Sequence, residues 1–218
     1  SESTSLLTSA ARSAIDAILA SMHAEKWRGA QSAYVQELSA YMNRLSLHAT
    51  HAPSSLGRSD TIAGLADHTL LAFLVHASLV RPLTEETRHA LRCDLDSLLS
   101  LLDDLGQPVG VPSYAARRDA DGVLANIIGK KAEEIPYTSS DASHTCVPPW
   151  LFAQFLIAES PGEMMLPHES VQYTREEYVA WALSHTAPER LKLLSGLVDA
   201  YTTSVVAKGG TAYVPNFS

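Results

Sequence analysis

A chain of 218 residues that is 46% apolar can bury a substantial core, as one large domain or two small ones. Its net charge of -8, with nine histidines neutral, offers no basic field to a nucleic-acid backbone or an anionic lipid surface. No apolar run approaches the roughly 18 residues that span a bilayer, and Cys93 and Cys146 form neither a CxxC pair nor a disulfide framework, which suits a reducing cytosol. Ser1 to Ser5 lack the basic start and apolar stretch of a signal peptide, and the termini read as those of a fragment.

Apolar residues recur at helical spacing almost throughout, and strand-like alternation is nearly absent. Leu7, Ala11, Ala14, Ile18 and Met22 predict one face of a first helix. A second carries Ala30, Tyr34, Leu38, Tyr41, Leu45 and His48 and fails at Pro53. Residues 54 to 59 read as a loop, with Ser59 or Asp60 capping a third helix striped by Ile62, Ala66, Phe73, Ala77 and Val80. That helix stops at Arg81-Pro82. Thr84 then caps a fourth, with Glu85 and Glu86 at its positive dipole end. Leu91, Leu95, Leu98, Leu102 and Leu105 form its seam, and Gly106 ends it. Four long helices with short connections predict an antiparallel four-helix bundle over residues 1–105.

Residues 106–147 carry three prolines, several glycines and Thr138-Ser139-Ser140-Asp141. They read as an irregular junction around a short helix with Val123, Leu124, Ile127 and Ile128. Residues 148–218 return to helices. Pro148-Pro149 opens a short apolar helix with Trp150, Leu151, Phe152, Phe155 and Leu156, which Ser160-Pro161-Gly162 stops. Thr174 and Glu177 have capping-box spacing ahead of Tyr178, Trp181 and Ala182. Thr186 and Glu189 repeat it ahead of Leu191, Leu194, Val198, Tyr201 and Val205, and Lys208-Gly209-Gly210 closes the last helix.

Histidines offer the nearest approach to chemistry. His48 and His51 share a helical face but lack a third ligand, and read as solvated or capping side chains. Asp67 and His68 diverge because neighbours on a helix point about 100° apart, and His76 reads as a satisfied core or interface residue. Ser143, His144 and Cys146 sit in a loop without a nucleophile signature. Asp94, Asp96, Asp103 and Asp104 follow the polar side of the leucine seam and read as a solvated face. There is no HExxH, phosphate loop or dinucleotide fingerprint, and no pair of Glu-x-x-His motifs for a di-iron bundle. No catalytic residue, metal site or cofactor is expected. Trp150, Phe152, Phe155, Tyr178 and Trp181 read either as bundle core or, in part, as anchors for a partner protein.

The order of these blocks resembles the fifth subunit of the conserved oligomeric Golgi complex. The similar segments are Phe73 through Leu83 with the leucine helix Leu91 to Leu102, then Gln154-Phe155-Leu156 followed by Ser160-Pro161, Glu163 and Pro167. A final block holds Tyr178, Trp181, His185, Glu189-Arg190-Leu191, Gly196, Ala200-Tyr201, Ser204-Val205, Tyr213 and Pro215. Together they cover residues 70 to 105 and 148 to 215, whereas residues 1 to 60 contribute no such motif.

The resemblance implies an all-α chain of antiparallel helical bundles stacked as a rod, as in multisubunit tethering complexes. It implies a non-catalytic scaffold in retrograde transport within the Golgi, peripheral on the cytosolic face of the membrane. The partners it implies are other subunits, the seventh above all, together with fusion proteins and coiled-coil tethers. It implies neither nucleic-acid binding nor direct membrane insertion. The competing readings are a subunit of a related tether and a helical scaffold outside trafficking.

Overall fold

The computed structural model describes residues 2–25, 27, 32–51, 58–106, 128 and 148–212. They form α1 (Glu2–Ala20), a 3-10 turn (Ser21–Ala24), α2 (Ala33–His51), α3 (Arg58–Ala77) and α4 (Glu85–Gly106). After the junction come α5 (Pro149–Glu159), the single turn α6 (Pro167–Ser170), α7 (Arg175–Ser184) and α8 (Ala187–Ala207). No strand occurs among the described residues. The fold is all-α.

Helix phases explain the bundle. In α1 the buried stripe is Ala11, Ile15 and Leu19, continued by Met22 in the 3-10 turn, while Leu7 is exposed. Of the expected stripe, Ala11 and Met22 lie on this buried face, Ala14 and Ile18 are half-buried beside it, and Leu7 falls outside it. α2 buries Tyr34, Val35, Leu38 and Met42, and α4 buries Leu91, Leu95, Leu98 and Leu102, each worth roughly 2 kcal/mol of transfer free energy. α3 is different. It begins at Arg58, ahead of the expected caps at Ser59 and Asp60, and every residue from Ala72 through Val80 is buried. A helix covered all round is central rather than peripheral.

The neighbours confirm this. α1 packs on α2 and α3, and α4 closes the bundle against α2 and α3. Asp16 pairs with His68 and His23 with His76, so α1 and α3 lie side by side in the same direction. α3 also meets α7 on its remaining face, and α1 touches α7. One hydrophobic core cluster takes in residues of the bundle and of 148–212. Of the junction beyond Gly106, only Ile128 is described. Its side chain is buried and its carbonyl accepts from Arg88 Nη1 at 3.3 Å.

The caps follow local chemistry. Thr84 Oγ1 accepts from the Thr87 amide at 3.2 Å at the start of α4. Thr174 and Glu177 complete the capping box of α7, with Glu177 N to Thr174 Oγ1 at 3.1 Å and Thr174 N to Glu177 Oε2 at 2.8 Å. Glu189 accepts from the Thr186 amide at 2.8 Å at the start of α8. At its end, the amides of Gly209 and Gly210 bond the carbonyls of Val206 and Val205, and Gly209 takes φ +75°, which any Cβ would strain. The turn α6 was not foreseen. It forms because Pro167 presets its first residue and Glu169 accepts from the Leu166 amide at 2.6 Å.

Candidate functional site

Asp94 overturns the expectation of a solvated acidic face. It is 0% exposed, and its carboxylate accepts from Ser32 N at 3.2 Å, Ser32 Oγ at 2.6 Å and Tyr34 Oη at 2.7 Å. The residue sits in α4, yet it satisfies the first exposed amide and two hydroxyls at the start of α2. Burial and the neighbouring carboxylate push the Tyr34 phenol far above its ordinary value, so it stays a donor. Asp96 and Asp104, by contrast, are exposed as expected.

The histidines also find partners. His68 Nε2 lies 2.7 Å from Asp16 Oδ1, across helices and not beside Asp67 in sequence. His76, expected in the core, is buried and lies 3.0 Å from His23 Nε2 through its Nδ1. Burial holds His23 down at about 3, aided by His76 and Arg175, and holds His76 at about 4. Two neutral imidazoles can share this bond, one donating and one accepting. No group of three or more His, Cys, Asp or Glu that could hold a metal ion occurs among the described residues. The side chains of His48 and His51, and all of Ser143, His144 and Cys146, lie outside the described residues.

A polar seam joins α5 to the end of α3. The Arg81 guanidinium donates to the carbonyls of Ile157 (2.5 Å), Ala158 (3.2 Å) and Met164 (2.6 Å) and to Ser160 Oγ (3.2 Å). Those carbonyls belong to the end of α5 and the chain beyond it, where a helix leaves acceptors unsatisfied. Arg81 thus caps a helix that begins nearly seventy residues later. Arg88 pairs with Glu159, with both side chains largely buried. Gln154 donates to the Tyr178 hydroxyl, and the Arg190 guanidinium carbon lies 4.3 Å from the centre of the Trp150 ring, tying α8 to α5. Arg81, Gln154, Ser160, Tyr178 and Arg190 belong to the segments that carried the family resemblance, and the fold brings them into this seam.

The seam also fixes the aromatic set. Trp150, Phe152, Phe155 and Tyr178 are buried, at 1%, 6%, 2% and 0% exposure, and in this conformation they pack the core. Trp181 is half-buried and stacks on His185 with ring centres 4.5 Å apart.

Sequence reasoning missed one apolar groove. Leu197, Ala200, Tyr201, Ser204 and Val205 of α8 face Met165 across a groove of about 530 Å³. Met165 is 57% exposed. The stripe on α8 was visible in the sequence, but the opposite wall, the chain between α5 and α6, has no periodicity to announce it.

Comparison with known proteins agrees with the resemblance. The chain is similar to conserved oligomeric Golgi complex subunit 5 of Mus musculus, with 27% identity over 229 residues covering 96% of this chain and 26% of the mouse protein. It is similar to the subunit of the same name from Drosophila melanogaster, with 25% identity over 212 residues covering 91% of this chain and 27% of the fly protein. The chain therefore spans about a quarter of the length of the curated relatives it matches. At 96% coverage the match takes in most of residues 1 to 60, where no motif could be quoted. No protein-family model matches the chain, and no solved structure matches it.

Proposed function

We propose that this chain is a non-catalytic, partner-binding segment of a Golgi vesicle-tethering subunit, acting in retrograde transport within the Golgi from the cytosolic face. The observation that carries the reading is similarity to subunit 5 of the conserved oligomeric Golgi complex over nearly the whole chain in two animals. The physical chemistry supports it. The polar and titratable side chains singled out in the core hold helices together, and no helix among the described residues is long and apolar enough to cross a membrane. With a net charge of -8, recruitment through protein partners fits better than through anionic lipid.

The expected partner is the seventh subunit, with fusion proteins and coiled-coil tethers as further partners. Co-expression of the chain with each subunit of the complex, followed by affinity purification, tests this. One subunit should be retained at equal stoichiometry through size exclusion. Retention of none would end the tether reading and leave the fold.

A further inference from the structure

The apolar stripe of α8 changes exposure along its length. Leu194, Leu197 and Val198 are buried, Tyr201 and Val205 are half-buried along the groove, and Ala200 and Ser204 beside them are exposed. The groove follows α8 from Leu197 to Lys208, about 17 Å at 1.5 Å per residue, or three helical turns. Ala200 and Ser204 stand one turn apart on its wall, so a second helix could approach to roughly 8 Å between axes. Its polar side chains are two serines, a tyrosine and the charges of Glu163 and Lys208, too few and too dispersed to hold a small polar ligand. A concave surface is also not self-complementary, which disfavours a twofold pair of this chain.

We propose that this groove receives an amphipathic helix from another protein chain. Its apolar side chains at three- and four-residue spacing would fill the groove, a basic residue would meet Glu163 and an acidic one Lys208. The two opposite charges favour a helix carrying both signs over a uniformly basic or acidic one. This inference rests on the reading of the chain as a tether segment and names the surface that such a segment uses.

The test is co-purification of the full chain with each subunit of the complex, in wild type and in Ala200→Trp and Ser204→Trp. Both positions are exposed, so a tryptophan fills the groove without entering the core. Ser195→Trp, on the opposite side of α8 and also exposed, is the control. Both groove variants should bind the retained subunit at least tenfold more weakly, with unchanged circular dichroism, and Ser195→Trp should bind as wild type does. Equal binding by all three would overturn the groove while leaving the tether reading intact; no binding by wild type would overturn both. A photoreactive residue at position 204 should crosslink to a helical segment of the bound subunit. A crosslink to a second copy, or to residues 213–218 of the same chain, would assign the groove to that occupant and overturn the proposal.

Discussion

The four-helix bundle and the seam that joins α5 to it are both buried, but different chemistry holds them. In the bundle, leucines at regular spacing exclude water, and the contact is tolerant of small changes of register or rotamer. In the seam, Arg81, Arg88, Gln154 and Tyr178 fix direction, because each donor must meet a particular acceptor. An apolar interface says that two surfaces meet; a polar one says how. That difference bears on function, since the seam sets the position of α5, and Arg190 over Trp150 carries that position on to α8 and its groove.

The strongest way to break the comparison is Arg81→Ala. It takes the charged donor from the Ala158 and Met164 carbonyls, while the Ile157 carbonyl keeps its bonds from the Ser160 amide and hydroxyl, and should cost about 3 kcal/mol in urea unfolding. Arg81→Lys should recover only part of this, because an ammonium cannot spread its donors over acceptors so far apart. A loss below about 1 kcal/mol would mean that apolar contact alone holds α5.

Asp94→Ala sharpens the contrast from inside the bundle. Removing the carboxylate leaves the Ser32 amide, the Ser32 hydroxyl and the Tyr34 phenol without their acceptor, at about 3 kcal/mol. Tyr34→Phe removes one donor and should cost about 1 kcal/mol, and the double variant should cost less than the sum. Strict additivity would show that the hydroxyl and the carboxylate do not act together.

Acid should give a smaller effect than loss of Arg81 or Asp94. His23 and His76 are depressed in the folded chain, so the unfolded chain binds protons that the native state refuses. Stability from this pair is complete above about pH 6.5 and falls as the pH drops toward 4. Between pH 6.5 and 5.5 the pair should lose about 2 kcal/mol, and His23→Gln should remove roughly half of that dependence. A pH-independent midpoint across this window would contradict the buried, neutral pair.

What could be read in the sequence follows the same division. Leu91, Leu95, Leu98 and Leu102 announced α4 because burial of a helix face leaves a periodic trace. The capping box at Thr174 and Glu177 announced α7 because its partners are three residues apart. Arg81 to Ile157 and Asp94 to Ser32 are not periodic and not local, so the residues were visible and their bonds were not. Asp94 was misread for this reason: on a helical wheel a buried acid and a solvated one look alike. The aromatic residues were noticed for their size, yet size alone does not separate core from surface, and the groove between Met165 and Tyr201 required the fold.

Hydrogen exchange of the chain, alone and with each subunit of the Golgi tethering complex, measures both halves of this account in one experiment. α3 and α5 should exchange with the same opening free energy, as one cooperative unit, and the seventh subunit should slow exchange between Leu197 and Lys208. Exchange of α5 through α8 well ahead of α1 through α4, or residues 197–208 unchanged by every subunit, would contradict it.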